Sequence, residues 1–456
     1  MTKSYSEITP QIHSLAEKSK RNNCITPEMY VENNVKRGLR DQNGNGVITG
    51  LTEISSIISK KKNADGEVVP CRGELYYRGI DVKELSEGFL REKRFGFEET
   101  VYLLLFSELP DKDELEEFKQ IIADYRSLPP SFVRDMILKA PSRDMMNILS
   151  RSVLALYSYD ENPDDISVDN VLRQSLQLIS MFPLLAVYGY HGYRHYHLNK
   201  SLHIRNPKPE LSTAENLLHI LRKDGSFTPL EARVLDLALV LHAEHGGGNN
   251  SSFTTHVVTS SGTDTYSAVA AALGSLKGPR HGGANIKVVQ MFDNIKENID
   301  VKDKSAIKDY LVKILDKEAF DKSGLIYGMG HAVYSVSDPR AEVLKKCAKD
   351  LSVEKDCTDE FELYETVAQL ATEIIADKRK IYKGVSPNVD FYSGFVYRIL
   401  GLPCELFTPI FAVARIAGWS AHRIEEIENA GKIIRPAYLG VKPKGKYIPL
   451  EERRTL

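Results

Sequence analysis

Residues 111–125 read DKDELEEFKQIIADY, and their apolar positions decide the kind of fold. Leu115, Phe118, Ile121, Ile122 and Tyr125 recur at intervals of three and four, which gathers side chains on one face of a helix instead of alternating them across a strand. The period returns in 305–315, with Ile307, Tyr310, Leu311, Ile314 and Leu315, behind Asp303 and Ser305, which suit a helix N-terminus. It returns again in 360–382, where Phe361, Tyr364, Val367, Leu370, Ala371, Ile374 and Ile375 form the stripe. Alternation of period two is sparse. Only 50–79, with β-branched residues and turn signals at Asp65-Gly66 and Pro70, reads as short strands. No repeat with a period of 20 to 50 residues is visible. The expectation is an irregular all-α fold with a few short N-terminal strands.

The chain has 456 residues, 42% of them apolar and 27% charged, so collagen-like, low-complexity and disordered classes are excluded. Sixty basic residues against 62 acidic ones leave a net charge of −2, which gives no electrostatic reason to expect nucleic acid or an anionic membrane as partner. Apolar runs such as 101–106 are far shorter than the roughly 20 residues of a spanning helix. Cys24, Cys71, Cys347, Cys357 and Cys404 are scattered, odd in number and form no CxxC pair. They read as reduced thiols. The first 20 residues lack an apolar core and carry Glu7 and Glu17, so a soluble cytoplasmic protein is expected. The polar first forty residues and the turn cluster Asp41–Gly46 read as an extended arm leading into the fold.

Glycine and proline punctuation then concentrates between the helical runs, at 246–248, 278–279, 282–283, 328–330, 339 and 387. Polar residues beside such breaks are candidate site residues. Four histidines sit there: His242 and His245 in LHAEHGGGNN, His281 in GPRHGGAN and His331 in GMGHAVY. Each alone reads as a histidine satisfied by structure; four together weaken that reading. His242 and His245 are three apart and so able to share a helix face, but the HExxH metal pattern is absent and Glu244 should point away from both, so no metal is expected. GGGNNSS lacks the GK[ST] of a phosphate loop, and GMGHAVY is not GxGxxG. Arg340 in SDPRA, Arg415 in FAVARIAGW and Arg435 in IIRPAY offer bidentate bonds to carboxylates, although each alone also reads as a surface ion pair. Asp390, between Val389 and Phe391 in SPNVDFYSG, is either a poorly hydrated, basic carboxylate suited to proton abstraction or a helix N-cap.

In order, LHAEHGGGNNSSFTTH, GPRHGGAN, GMGHAVYSVSDPRA, SPNVDFYSG and FAVARIAGW resemble the citrate synthase family. LYYRGIDVKEL and VYLLLFSELP extend the resemblance from about Gly73 to Arg435. It implies a nearly all-α, two-domain homodimer. An N-terminal arm (1–48) would precede a large domain (49–281 and 389–456), interrupted by a small domain (282–388) that closes over the substrates. It implies condensation of acetyl-CoA with oxaloacetate, then hydrolysis of citryl-CoA, with no cofactor and no metal. By position, His281 matches the residue holding the thioester carbonyl, Asp390 the base and His331 the residue polarising the ketone. His245, Arg340 and Arg415 match the oxaloacetate set, and Arg435 an arginine reaching the other subunit's site. Two departures stand out. Ser335-Val336-Ser337 replaces a stretch where many relatives carry a basic residue for the coenzyme A phosphates, and GGGNNSSFT is unusually glycine-rich. Within the family, 2-methylcitrate synthase uses propionyl-CoA instead. A non-catalytic relative would have lost an acid–base residue, whereas His281, His331 and Asp390 are all present. A metal-dependent hydrolase is the remaining alternative.

Overall fold

The computed structural model describes residues 6–41, 46–331, 333–379, 384–429 and 431–453. It is 59% helical with 5% strand, the expected all-α class. The chain forms two compact units, Thr52–Ile434 and a terminal unit of Met1–Leu51 with Arg435–Leu456.

The terminal unit departs from the extended arm expected for it, because it contains the helices Pro10–Arg21 and Pro27–Glu32. Thr9 and Pro10 start the first one: the Thr9 hydroxyl accepts from the Ile12 N–H at 3.3 Å, and Pro10 occupies the first turn, where its missing N–H costs nothing. Of the expected turn cluster, residues 42–45 lie outside the described residues.

The larger unit begins with an antiparallel sheet in the order β1 (Ser55–Lys62), β2 (Val68–Tyr77), β3 (Ile80–Asp81). Asp65-Gly66 turns the chain as expected, with the Gly66 N–H donating to the Asn63 carbonyl at 3.0 Å. Pro70 does not turn it. It lies inside β2 opposite Lys60, where the register shifts, an irregularity that tolerates a missing donor.

The three periodic segments form the helices Lys112–Asp124, Lys304–Leu315 and Thr358–Arg379; residues 380–382 of the last expected stripe lie outside the described residues. Asp111 closes a capping box with Glu114, and Asp303 caps the second helix through the Ser305 N–H at 2.8 Å. The Val168–Leu198 helix was not foreseen as long and apolar enough to cross a membrane, yet by length and composition it is. Most of its middle is buried inside the unit, as befits a core helix. Beside it runs Phe407–Glu428, buried on every side from Phe407 to Glu425. This central helix also packs against Pro229–His242 and Asn250–Thr259, and its polar residues form the floor of the site.

Candidate active site

The Pro229–His242 helix stops at His242, so His242 and His245 do not share a helix face. Buried His242 faces the Ala238 carbonyl through Nδ1 at 2.6 Å, and its own carbonyl accepts from Arg415 Nε at 2.7 Å. Glu244 turns away from both histidines to Ser55 Oγ at 2.9 Å and His422 Nε2 at 3.0 Å. That turn lies hard against the central helix. A Cβ on Gly418 would come within 2.2 Å of Glu244 Oε2 and 2.6 Å of the Ala243 carbonyl, so only glycine allows the approach.

A second close contact joins the other two motifs. The Gly330 N–H donates to the Ser386 carbonyl at 2.8 Å and the Asn388 N–H to the Gly328 carbonyl at 2.9 Å, while the Asn388 amide reaches the Gly330 carbonyl at 2.8 Å. GMGH and SPNVD are thereby laced together. Gly328, at φ +78°, has Phe391 and Val288 within 2.9 Å of where a Cβ would stand. The N-cap of the Val389–Ile399 helix is Asn388, whose side chain accepts from the Asp390 N–H at 3.0 Å. Asp390 is therefore not a cap. Its half-buried carboxylate is left for other work.

Asp338 fixes the third corner. It caps the Pro339–Glu354 helix through the Arg340 N–H at 3.0 Å, accepts from Arg340 Nε at 3.0 Å and Nη2 at 2.8 Å, and accepts the Val389 N–H at 3.1 Å. Both are buried, so this is no surface ion pair. Arg415, also buried, lies with its guanidinium 4.7 Å from the Phe411 ring centre, and its Nη2 has no hydrogen-bond partner among the described residues. An unsatisfied buried cationic donor is costly unless an anion arrives to meet it.

His245, His331 and Tyr334 pack as one ring cluster: His245 meets His331 edge to face with ring centres 5.1 Å apart, and His331 lies tilted against Tyr334 at 5.0 Å. His331 Nδ1 accepts the N–H groups of Val333 at 3.0 Å and Tyr334 at 3.3 Å, so Nε2 carries the ring hydrogen. His281, in the turn anchored by Thr408 Oγ1 to the Gly282 carbonyl at 2.9 Å, is held the opposite way. Its Nε2 accepts the Ser251 N–H at 3.3 Å and lies 2.9 Å from Ser251 Oγ, which places its hydrogen on Nδ1. Trp419 Nε1 steadies that hydroxyl at 3.2 Å.

The charges sort the roles. Burial pulls His281 down to about 4 and His242 to about 3; burial and the two arginines hold His245 well below the imidazole range. These rings are neutral at pH 7. Burial pushes the Asp390 carboxyl up to about 6, with Arg340 and Arg415 opposing and Asp338 adding to the rise. A carboxylate that basic, in the field of two arginines, can take a proton from carbon while cationic donors hold the developing oxyanion. Arg435 is not part of this cluster's unit: it lies exposed in the terminal unit. Sequence reading missed Ser251, Asp338, Tyr334 and Trp419. Asp338 alone carried a local signal, two residues before Arg340.

The family model described as "Citrate synthase, C-terminal domain" matches residues 43–437. "Citrate synthase 2" of Bacillus subtilis is 33% identical over 90% of this chain and 98% of its own length. "2-methylcitrate synthase 1" of Corynebacterium glutamicum is 31% identical over 92% and 99%. A solved structure of Thermoplasma acidophilum citrate synthase, a ternary complex with carboxymethyl coenzyme A and oxaloacetate, superposes with a TM-score of 0.74, at 27% identity over 92% of this chain and 99% of that one. A match running through nearly the whole chain, together with the cluster it contains, makes this protein a member of the citrate synthase family of acyltransferases.

Proposed function

We propose that the chain condenses acetyl-CoA with oxaloacetate and hydrolyses the resulting citryl-CoA to citrate and coenzyme A. The observation that carries this reading is Asp390: a carboxylate raised to about 6, not spent as a helix cap, within the field of two buried arginines. Asp390 removes a methyl proton from the thioester, a weak carbon acid. His281 supports the step by donating its Nδ1–H to the thioester oxygen, so that negative charge is met by a neutral donor. The enol carbon then bonds to the ketone carbon of oxaloacetate. The ketone oxygen takes up the electron pair, stabilised by His331 Nε2–H and Arg340. Arg340, Arg415 and His245 orient the two carboxylates, and the partnerless Nη2 of Arg415 fits an anion bound there. Water then cleaves the thioester, releasing coenzyme A. Every step uses side chains and substrates alone. Closure of a smaller domain, 282–388, over the larger one excludes water until the carbon–carbon bond has formed.

The chain acts as a homodimer in which Arg435 reaches the other subunit's site. In support, the terminal unit leaves Ile48, Leu51, Tyr438, Tyr447 and Leu450 more than two-thirds exposed, apolar surface that a second copy would cover. The chain's five free cysteines suit the cytoplasm. Propionyl-CoA is the competing donor, since a 2-methylcitrate synthase is nearly as similar as the citrate synthase and one methylene is worth only about 1–3 kcal/mol. Steady-state kinetics with both thioesters decide between them: a higher kcat/KM for acetyl-CoA is expected, and a higher value for propionyl-CoA replaces citrate with 2-methylcitrate.

A further inference from the structure

Behind the active-site turn, two imidazoles meet nitrogen to nitrogen. His256, on Asn250–Thr259, places Nε2 3.2 Å from Nδ1 of His422, on the central helix. The outer nitrogen of each ring faces a carboxylate: His256 Nδ1 lies 2.7 Å from Glu426 Oε2, and His422 Nε2 lies 3.0 Å from Glu244 Oε1. Ionised carboxylates only accept, so the outer nitrogens donate, and with both rings neutral the inner nitrogens face each other as lone pairs; without a metal a proton on His422 Nδ1 fills that gap, since against burial the Glu244 and Glu425 carboxylates push this imidazole up to about 9. Two lone pairs at that distance repel unless a cation sits between them, either a proton or a metal.

The geometry also suits a metal. Glu425, one turn after His422, gives Oε1 to the Glu53 N–H at 2.7 Å, whereas its Oε2, 3.8 Å from His422 Nδ1, has no hydrogen-bond partner among the described residues although the residue is only 9% exposed. Ligand atoms of His256, His422 and Glu425 all lie within 4.8 Å of one another. Two nitrogens bound tetrahedrally at about 2.0–2.1 Å stand roughly 3.3 Å apart, close to the separation already present. Carboxylates behind metal-binding imidazoles fix the ring and raise its basicity, and both rings have one. Gly247, in the glycine-rich turn, keeps the approach open: a Cβ there would lie 3.3 Å from His256 Nε2 and 3.7 Å from His422 Nδ1.

We propose that His256, His422 and Glu425 bind a divalent transition metal of the zinc class, with water as fourth ligand and with Glu244 and Glu426 supporting the imidazoles. Mixed nitrogen and oxygen donors in this number suit zinc better than calcium or magnesium. Through Glu244, the ion would brace the turn that carries His245. The site is independent of the reaction assigned above.

The test uses the full chain, without a histidine tag and dialysed against chelator, titrated with Zn²⁺ by calorimetry and with Co²⁺ by visible absorption. One Zn²⁺ per chain and the visible bands of four-coordinate Co²⁺ are expected. His256→Gln and Glu425→Gln should each weaken Zn²⁺ binding by more than the 10–100-fold range typical of outer partners, and Glu426→Gln by about that range. Absence of saturable binding to the unmodified chain would overturn the proposal and leave the pair sharing a proton. Binding that survives either ligand substitution also overturns it, by placing the ion elsewhere.

Discussion

Asp390 and His281 are tuned in opposite directions by the same cause. Burial raises the carboxyl to about 6 and lowers the imidazole to about 4, so between those values and neutrality the base becomes ionised while the donor stays uncharged. The sign of the pH dependence follows. If Asp390 is the base proposed above, it gains a proton below about 6 and can no longer accept one, so kcat/KM should fall on the acid side with an apparent pKa near 6. A profile flat from pH 7 down to pH 5 would separate Asp390 from the rate. Ser251 fixes the second half of the pair, since its N–H occupies His281 Nε2. Sequence motifs brought His281 and Asp390 to notice one at a time. Ser251 stayed invisible, because its partner stands 30 residues away and only folding joins them.

At the scale of elements, the central helix is the scaffold, and its tightest joint is at Gly418. Gly418→Ala would drive a methyl group against Glu244 and the Ala243 carbonyl. Overpacking of this kind costs about 1–3 kcal/mol, measurable as a shift in denaturation midpoint without a change in slope. A variant as stable as the parent would show that the joint is looser than its geometry. Helices with strong periodicity, such as Lys112–Asp124, were legible because an amphipathic stripe records burial on one face. Phe407–Glu428, buried all round, carries no stripe and was noticed only as a motif. The helix Pro10–Arg21 was missed for the converse reason: it buries no residue, and its polar composition looked like an arm. Pro70 misled because proline signals a turn more often than an edge irregularity.

For the whole molecule, the terminal unit matters most. If Arg435 works across a dimer, mixing Arg435→Ala chains with Asp390→Ala chains should restore activity that neither has alone. One site in each mixed dimer then has Asp390 from one chain and Arg435 from the other. Mixed dimers no more active than their parents would assign Arg435 to its own chain's site or to none. The arginines proposed to meet the substrate carboxylates were legible in motifs. Of the buried supports, Asp338 stands two residues before Arg340 and carried a local signal, whereas the link of Glu244 to His422 did not, because those partners lie 178 residues apart and no local pattern joins them.

The central claim is that Asp390 is the base of an oxaloacetate-dependent condensation, and one measurement bears on it most directly. Coenzyme A release from acetyl-CoA, followed by its thiol with and without oxaloacetate, is compared for the parent and Asp390→Ala. The expected result is release that requires oxaloacetate and falls by about 10²–10⁴-fold in the variant. Release that ignores oxaloacetate, or a variant within a few-fold of the parent, would contradict it.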